Sequence, residues 1–436
     1  MMRKKLQSFY YSTNDGCGGR CDVKRILVIG GGAAGMMAAQ TAAQRGADVV
    51  LLERNEKLGK KIYITGKGRC NFTNACPKED LISSVVSNPK FLMSAFSDFS
   101  NYDMMDFVRD AGVFYKVERG GRVFPVSDHA SDITKALSSA MEKNHVRVLL
   151  EKRVSGLLIS QKTVTGVLLE NGEKLSADAV IVASGGKSYP ATGSSGDGYV
   201  LAEQAGHSVR APYPALVPLM TAEEDLCSMQ GLSLKNVKLT FPGKKRPLYS
   251  GFGEMLFTHF GISGPLVLSA SSYLGEGLSE GRTYQGWIDL KPAVSESELE
   301  ERILRITSQF PRKETQYLLH QVLPSKMIPV FAGRLDLDVK SRLSELRAQK
   351  RKEIVKLLKA FPLTVTKTAG FAQAVITGGG VRVNEVSPKT MESKLCRNLY
   401  FAGEILDLDA LTGGFNLQIA FSTGHLAGES SISEGE

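Results

Sequence analysis

The stretch Arg25–Arg54, RILVIGGGAAGMMAAQTAAQRGADVVLLER, decides the fold. It begins with a short apolar run, RILVI, which is typical of a buried strand, and closes with a second such run, DVVLL. Between the two runs lie clustered glycines and a series of small residues that favours a closely packed helix. A strand, a helix and a strand in this order indicate a βαβ unit, so we expect an α/β protein with a parallel sheet.

The glycines of this unit, Gly30, Gly32 and Gly35, have the spacing of a dinucleotide-binding loop. In such a loop the first glycine makes a tight turn, the second lets the backbone approach a pyrophosphate, and the third lets helix and strand pack closely. The helix N-terminus directs free N–H groups at the phosphates. Glu53 ends the second strand, where an acid accepts hydrogen bonds from a ribose diol, and it opposes a 2′-phosphate despite the adjacent Arg54. The unit predicts a dinucleotide site without distinguishing FAD from NAD(H).

Composition limits the class of protein. At roughly 150 residues per domain, 436 residues suggest two to three domains. The net charge of +9 is compatible with nucleic acid, an anionic membrane surface or a phosphate-bearing cofactor. The densest basic run, RAQKRKEIVKLLK (347–359), is expected to be a solvated helix face. No apolar run is long enough for a transmembrane helix, so no membrane partner is expected.

The N-terminal segment and the cysteines indicate location. Residues 1–23 are basic but lack a following apolar region, so we expect a flexible extension rather than a signal peptide. Six cysteines are few for this length, which favours a reducing cytoplasm over a disulfide framework. Cys17 and Cys21 lie in the extension without metal-ligand partners in pattern.

Changes in pattern divide the rest of the chain. We expect a discontinuous nucleotide-binding domain over 24–211 and 370–436, a β-rich insert over 212–292 and 361–369, and a helical insert over 293–360. Within these, the patterns predict mainly helices over 80–145, a three-stranded meander over 146–170, and short strands broken by prolines up to Pro292. Apolar positions of the helical insert are predicted to form a bundle core; they are Leu304, Tyr317, Leu318, Leu343, Leu346, Ile354, Leu357 and Leu358.

The order of these segments resembles the FAD-binding domains of the glutathione reductase class. In that class the strand after the meander, here AVIVA followed by Ser184–Gly186, ends near the FAD pyrophosphate. The resemblance implies that Gly403-Glu404 places an acid on the ribityl chain and that Gly413–Asn416 and the following helix lie at the flavin ring. A helix N-terminus there stabilises the anion formed when the flavin is reduced.

More narrowly, the chain resembles the BaiN/RdsA-type family of bacterial flavoproteins, usually described as NAD(P)/FAD-dependent oxidoreductases. The resemblance extends from Lys24 to Gly428 and rests on the long motifs ITGKGRCNFTN (64–74), GRVFPVSDHASD (121–132), SGGKSYPATGSSGDGY (184–199), GEMLFTHFGISGPLVL (253–268) and VITGGG…AFSTG (375–424). Ser184 stands where threonine is common in that family. The family fold implies a glutathione-reductase-type Rossmann FAD domain with an inserted β-barrel-like subdomain and a small helical subdomain.

The fingerprint and the resemblance together predict the residues that bind FAD. They are Gly30, Gly32, Ala33, Ala34, Gly35, Glu53, Arg54, Lys61, Gly68, Arg69, Cys70, Asn71, Val154, Ser184, Gly185, Gly186, Gly403, Glu404, Gly414, Phe415, Asn416 and Leu417. NAD(P)H is a possible transient electron donor, although the chain has one dinucleotide fingerprint. Gly378–Gly380 follow an apolar run but precede a β-like, proline-broken segment, so we do not expect a second Rossmann loop there.

The loop ITGKGRCNFTNACPK (64–78) contains Cys70 and Cys76. A thiol pair near a flavin raises the alternative of a redox disulfide, as in disulfide reductases of this flavin class. Those pairs have four intervening residues, whereas this one has five, and the second nucleotide domain that feeds them is missing. We therefore favour a loop that wraps the cofactor, with Cys70 as a small packed residue.

Candidate catalytic residues are less well defined. His259, within LFTHFGISG, has a pKa range suited to proton transfer and lies near glycines that allow close approach to a ligand. The alternative interpretation is that His259 is a hydrogen-bonded structural residue beside a turn. Tyr189 and Lys187 follow the glycines after the AVIVA strand and are further candidates. No HExxH, CxxC or EF-hand pattern occurs, so no metal is expected.

These observations predict a soluble FAD-dependent oxidoreductase that transfers two electrons through flavin N5 to or from a small organic substrate. The resemblance suggests reduction of an activated C=C bond, or amine or ketone oxidation with oxygen as acceptor. No nucleic-acid partner is expected in this reading. The alternative is an FAD-containing RNA-binding or RNA-modifying protein that uses the basic charge and the helical insert.

Overall fold

The structure is a computed structural model that describes residues 23–433. The predicted N-terminal extension, apart from Val23, lies outside the described residues, and so do Cys17 and Cys21. The strands are β1 (Arg25–Ile29), β2 (Asp48–Leu52), β3 (Thr73–Asn74), β4 (Tyr115–Glu118), β5 (Arg122–Pro125), β6 (Arg147–Leu149), β7 (Val154–Ser160), β8 (Thr163–Leu169), β9 (Lys174–Ser176), β10 (Ala179–Val182), β11 (Val209–Ala215), β12 (Leu219–Thr221), β13 (Ser233–Phe241), β14 (Tyr249–Thr258), β15 (Gly261–Ser263), β16 (Tyr284–Asp289), β17 (Phe361–Thr368), β18 (Ile376–Val381) and β19 (Leu399–Phe401).

The α-helices connect or cover these strands. They are α1 (Ala33–Gln44), α2 (Lys60–Ile64), α3 (Lys78–Ser83), α4 (Met93–Asp98), α5 (Asn101–Asp110), α6 (Ala130–Lys143), α7 (Asp197–Gln204), α8 (Pro265–Ser279), α9 (Glu296–Gln309), α10 (Thr315–Val322), α11 (Ile328–Arg334), α12 (Ala348–Lys359) and α13 (Phe415–Ser430). The last helix is longer at both ends than the segment Leu417–Ala427 that its pattern predicts.

A five-stranded parallel sheet in the order β19-β10-β1-β2-β6 forms the centre of the nucleotide-binding part. The β1–α1–β2 unit confirms the βαβ prediction, with Ile26 beside Val49 across the strand pair. β10 is buried along its whole length, and β1 is buried after its first residue. Such apolar runs are expected where helices cover both faces of a parallel sheet.

Helices α1 and α13 pack through glycines. A Cβ added at Gly424 would lie 2.4 Å from the carbonyl oxygen of Ala34, and one added at Gly428 would lie 2.5 Å from that of Ala38. Larger side chains would push the two helices apart. This contact therefore fixes the second half of α13 against α1.

The prediction of a meander over 146–170 was wrong about which strands belong to it. Residues 147–149 form β6, which pairs in parallel with β2 in the central sheet, and Arg147 reaches Asp48 at 2.9 Å. The meander consists instead of β7, β8 and β9, with the Asn171-Gly172 turn between the last two. β6 follows helix α6, and a strand reached through a crossover helix adds in parallel, whereas meander strands are joined by short turns.

The expectation of mainly helices over 80–145 was incomplete. Helices α3 to α6 cover much of this segment, but a hairpin of β4 and β5 interrupts them. Its turn, Arg119–Gly121, contains two glycines with positive φ, 80° at Gly120 and 72° at Gly121. β5 pairs on its other side with β3, which follows the predicted cofactor loop, so the hairpin is fixed beside that loop.

A closed barrel forms the β-rich part, in the order β12-β15-β14-β13-β16-β17. β17 closes it by pairing with both β16 and β12 after the chain has passed through helices α9 to α12. Those helices share one hydrophobic core with the barrel, in which Leu318 and Ile354 are buried together with Phe361. The predicted domain bounds remain predictions, but this shared core links the two inserts physically. Leu304, a predicted core position, is 48% exposed.

Two further segments bear on the predictions. Residues 265–279, expected as short strands, form helix α8 because Gly264 adopts a φ of 95° and Pro265 takes the first helical position. Gly378–Gly380 lie inside β18, which pairs antiparallel with β11. They therefore form no second dinucleotide loop, as the sequence predicts.

Candidate active site

The glycine loop after β1 has the geometry that its spacing predicts. Gly30 has a φ of 105°, and a Cβ there would lie 2.6 Å from the carbonyl oxygen of Ala183 in the neighbouring strand segment. A Cβ at Gly35 would lie 1.8 Å from the carbonyl oxygen of Gly30. A Cβ at Gly32, by contrast, would meet no atom within 4 Å. Gly32 thus borders open space at the N-terminus of α1, which fits a pyrophosphate.

Glu53 is held in one orientation at the end of β2. One carboxylate oxygen accepts a hydrogen bond from the Gly31 N–H at 2.7 Å, and the other accepts from the Asn55 N–H at 2.7 Å. Arg54 beside it donates to Asp197 at 3.0 Å, and Asp197 also pairs with Arg153 at 2.9 Å. The charge of Arg54 is therefore balanced within the protein, which agrees with a ribose site that lacks a 2′-phosphate.

Lys61 and Glu404 form an ion pair at the middle of the site. Their charged atoms lie 2.5 Å apart, and the other carboxylate oxygen of Glu404 accepts from Ser188 at 2.6 Å and from the Thr377 N–H at 2.8 Å. Burial raises the pKa of Glu404, but Lys61, Ser188 and the Thr377 N–H outweigh burial and hold that pKa below its ordinary value. Glu404 is therefore an anion near neutral pH, fixed by its protein partners.

The loop Thr65–Asn71 is shaped by left-handed backbone. Gly66, Lys67, Gly68 and Cys70 all have positive φ. The Asn71 side chain accepts from the Val123 N–H of β5 at 3.1 Å. The loop therefore turns sharply back on itself and is bonded to the hairpin.

The two cysteines of this loop region are free thiols in the structure. Cys70 is fully buried, and burial raises its pKa to about 12. A thiol with so high a pKa is a poor nucleophile near neutral pH. This placement agrees with the interpretation of Cys70 as a packed residue.

The N-terminus of α13 forms the far end of the site. Gly414, with a φ of 97°, precedes the helix, and a Cβ there would lie 2.3 Å from the carbonyl oxygen of Thr73. Asn416 bonds both backbone groups of Ala410, accepting from its N–H at 2.9 Å and donating to its carbonyl at 2.8 Å. The first turn of α13 is therefore tied to the loop that precedes it.

These elements surround one cavity of about 780 Å³. The predicted cofactor residues that line it are Gly30, Gly32, Ala33, Ala34, Glu53, Arg54, Lys61, Arg69, Asn71, Val154, Ser184, Gly185, Glu404, Gly414, Phe415, Asn416 and Leu417. A volume of this size falls within the range of cofactor sites. The cavity therefore joins the glycine loop to the N-terminus of α13, as the FAD-binding interpretation requires.

The remaining predicted cofactor residues do not line the cavity; they are Gly35, Gly68, Cys70, Gly186 and Gly403. Three of them serve close packing. Gly35 meets Gly30, a Cβ at Gly186 would lie 2.4 Å from Oγ1 of Thr377, and one at Gly403 would lie 2.8 Å from Cβ of Ala34. Their contribution to cofactor binding stays a prediction.

The three predicted catalytic residues do not line the cavity. His259 is exposed in the turn between β14 and β15. Lys187 bonds through its N–H to Thr377 at 2.8 Å, and its side chain lies against Gly196. Tyr189, with a φ of 50°, begins a short helical turn. Their catalytic roles stay predictions that this placement does not support.

The sequence missed one side of the cavity, which is apolar. Leu216, Pro265, Leu268, Val375, Ile376, Leu408 and Leu411 line it. Several of these belong to a small separate hydrophobic cluster around Tyr213. They come from distant parts of the chain, namely the residue after β11, helix α8, the start of β18 with the residue before it, and the segment before α13, so no local pattern could have brought them together.

One group of possible metal ligands lies outside the cavity. Asp98, His425 and Glu429 place ligand atoms within 4.8 Å of one another. Nδ1 of His425 lies 2.8 Å from Asp98, and Glu429 contacts Arg45, so protein partners already account for the group. That no metal binds stays a prediction. Among the described residues, no helix is long and apolar enough to cross a membrane.

Comparison with known proteins agrees with this geometry. The 3-dehydro-bile acid delta(4,6)-reductase of Clostridium scindens is 34% identical over 93% of this chain and 98% of its own length. A ribosomal RNA dihydrouridine synthase of Haemophilus influenzae is 33% identical over 92% of this chain and 96% of its own. The structure of a 3-ketosteroid-delta4-(5alpha)-dehydrogenase from Rhodococcus jostii matches with a TM-score of 0.50 at 17% identity, covering 95% of this chain and 98% of that one, and supports the fold.

The family model described as the HI0933-like protein Rossmann domain matches residues 24–430. This match covers nearly the whole described chain and confirms the BaiN/RdsA-type resemblance and the Rossmann FAD-binding fold. Together with the cavity and its open glycine position, it makes the protein an FAD-dependent oxidoreductase. The chain therefore belongs to the HI0933-like Rossmann family of flavoproteins.

Proposed function

We propose that the protein reduces a C=C bond conjugated to a carbonyl group in a ring-shaped substrate, with NAD(P)H as the electron donor. The observation that carries the proposal is the division of the cavity. One part borders the glycine loop and Glu53, and the other has the apolar wall that includes Leu216, Leu268 and Ile376. A planar, largely apolar ring fits the second part while a dinucleotide occupies the first.

The relatives support the same type of reaction. The names of the Clostridium scindens and Haemophilus influenzae proteins both denote reactions at ring double bonds, although one substrate is a bile acid and the other is RNA. Bound FAD would supply the two-electron hydride chemistry. The residues of this chain would position the cofactor and the substrate, and the N-terminus of α13 would favour negative charge at the flavin.

Within this proposal, Lys61 and Glu404 orient the cofactor. Both residues of this ion pair line the cavity, and the ribityl chain of FAD would pass beside them. Because Glu404 remains an anion, it accepts hydrogen bonds and does not supply the proton. For the proton, Lys187, Tyr189 and His259 are retained as candidates from the sequence. We propose a cytoplasmic location, which the free thiols of Cys70, Cys76, Cys227 and Cys396 support.

The test is an anaerobic half-reaction experiment on the FAD-loaded protein. NADPH or NADH is added and the flavin absorbance is followed; then an uncharged cyclic enone is added and reoxidation is followed. The proposal expects bleaching by at least one donor and reoxidation with formation of the saturated product. A flavin that neither donor reduces, or a reduced flavin that no conjugated C=C compound reoxidises, would overturn it.

A second candidate function is reduction of a base in RNA, as the relative from Haemophilus influenzae carries out. The observation that favours it is the basic lining of the cavity, which includes Lys67, Arg119 and Arg122. RNA affinity that falls steeply with salt, with bleached flavin reoxidised by a uridine oligonucleotide, would establish this alternative.

A further inference from the structure

Three cations are both exposed and part of the cavity lining. Lys67 lies in the loop after α2, and Arg119 and Arg122 lie at the turn and at the start of β5 in the β4–β5 hairpin. All three line the cavity. We call Lys67, Arg119 and Arg122 the rim cluster.

The loop and the hairpin that carry the rim cluster pack against the same side chain. Phe124 of β5 is the shared support: a Cβ at Gly66 would lie 3.3 Å from its ring, and the Arg69 guanidinium lies 4.1 Å from the ring centroid. The Arg122 guanidinium lies 5.9 Å from the same centroid, and its Nε donates to the carbonyl of Arg119 at 3.1 Å. The loop that carries Lys67 and the hairpin that carries Arg119 and Arg122 therefore meet at Phe124, and Arg122 is held against the Arg119 backbone.

Nearby carboxylates are already engaged by other cations. Arg69 contacts Glu118 and donates to Asp128 at 2.8 Å, and Lys116 also pairs with Asp128, at 2.7 Å. The loop 65–71 and the hairpin segment 115–128 hold five cations against these two carboxylates. Within residues 23–433, neither Lys67 nor Arg119 has a carboxylate within 4.0 Å, and Arg122 approaches Glu118 only at 3.8 Å.

The position of the rim cluster connects it with the redox end of the cavity. The Asn74 amide donates to the carbonyl of Gly120 at 3.0 Å and to that of Gly413 at 2.9 Å. A Cβ on Gly121 would lie 2.3 Å from the Asn74 side chain. One buried amide thus joins the hairpin turn to the glycines that precede α13, so a ligand at the rim lies next to the expected flavin end.

We propose that the rim cluster binds the phosphate of a nucleotide that reacts at the flavin. The inference rests on the proposed function, because it names the chemistry of the reactant that enters the same cavity. Two arginines and a lysine around one opening suit the several oxygens of a phosphate, and arginine makes paired hydrogen bonds to it. The phosphate can belong to the nicotinamide nucleotide that donates electrons or to a nucleotide unit of RNA.

The test compares two double variants of the FAD-loaded protein. The rim variant is Lys67→Gln with Arg119→Gln. The control is Lys235→Gln with Lys238→Gln, which removes the same charge from exposed positions on β13. Binding of NADP⁺ and of a uridine oligonucleotide is measured through the flavin fluorescence at several salt concentrations. FAD content and melting temperature establish that both variants fold.

We expect the rim variant to bind at least one probe about tenfold or more weakly, with a shallower salt dependence, while the control binds as wild type. A loss confined to NADP⁺ assigns the phosphate to the reductant, and a loss confined to the oligonucleotide assigns it to the substrate. Unchanged affinity for both probes, or an equal loss in the control, overturns the proposal. Failure of the wild-type half-reactions with the uncharged enone would instead overturn the proposed function and leave the rim result standing.

Discussion

At the scale of single residues, the fingerprint glycines are required for two different reasons. Gly30 and Gly35 have no room for a side chain because backbone atoms would lie within 2.6 Å of an added Cβ. Gly32 has room, because the space beside it is the cavity itself. The spacing of the three glycines predicted these roles. It could not predict that Glu53 would be oriented by the N–H groups of Gly31 and Asn55, because that bonding depends on how the two strand ends meet.

Substitution of Gly32 separates cofactor binding from folding. We expect Gly32→Val to fold, since a Cβ there meets no atom within 4 Å, but to lose FAD because the added side chain occupies the cavity next to the α1 N-terminus. The ratio of flavin to protein absorbance after reconstitution measures the loss, and a thermal melt without cofactor measures folding. Gly333→Val, at an exposed and equally open position, is the matched control. A fully yellow Gly32→Val protein would contradict the assignment of this loop.

The buried carboxyl of Asp409 predicts a pH dependence of stability. Burial, together with Asp407, raises its pKa to about 6, against about 3.9 in an unfolded chain. At this group the folded state therefore binds more protons than the unfolded chain between pH ~4 and ~6, so the contribution of Asp409 to the free energy of unfolding falls as the pH rises through this interval and is constant above it.

We expect Asp409→Asn to remove this slope. The variant should match wild type near pH 4 and exceed its free energy of unfolding at pH 8 by up to about 3 kcal/mol. Denaturant unfolding of both proteins across this pH range gives the difference. A constant difference at every pH would mean that the Asp409 carboxyl titrates normally.

At the scale of elements, the sequence pattern predicted a helix or strand reliably where the element has its own periodicity. It was unreliable where packing against neighbouring elements decides the type or the place of the element. The strands β1, β2 and β10 are continuous apolar runs, and each was predicted within a residue or so. β6 has a similar short apolar pattern and was predicted as a meander strand, yet it pairs in parallel in the central sheet because the crossover through α6 places it beside β2. Helix α8 was missed because its small residues and Pro265 resemble a broken loop when its burial against the barrel is unknown.

The first turn of α13 should influence the potential of the flavin. Asn416 ties this turn to Ala410 and lines the cavity. Asn416→Asp keeps an acceptor for the Ala410 N–H but places negative charge where the helix N-terminus favours an anion. We expect the midpoint potential of the bound flavin to fall by about 30 mV, the equivalent of ~1.4 kcal/mol for two electrons.

The control is Asn416→Leu, which removes both hydrogen bonds to Ala410 and adds no charge. It should lower the melting temperature, since two hydrogen bonds are lost, and shift the potential much less. Spectroelectrochemical titration of the two variants and wild type decides between these effects. Equal midpoint potentials in the aspartate and leucine variants would show that the N-terminus of α13 does not lie at the flavin.

At the scale of the whole molecule, the cavity forms where two bodies meet. The Rossmann sheet supplies the glycine loop and Glu53, and helix α8, which packs on the barrel, supplies Pro265 and Leu268. The family resemblance predicted the bodies, but the apolar wall between them needs the folded arrangement. His259, which its motif predicts near a ligand, is exposed in the turn between β14 and β15 and does not line the cavity, so its catalytic role stays a prediction.

This arrangement predicts that the two parts of the cavity can be altered separately. Leu268→Trp enlarges a residue of the apolar wall on α8, so it should narrow the substrate part and leave the glycine loop unchanged. We expect normal FAD content and normal bleaching by the donor, with KM for a polycyclic enone raised at least about tenfold and KM for a single-ring enone changed less. Ser279→Trp, at the exposed end of the same helix, controls for added bulk. Steady-state kinetics with both enones measure the effect; an equal loss for the two substrates, or loss of FAD, would mean that the wall does not bound a separate substrate chamber.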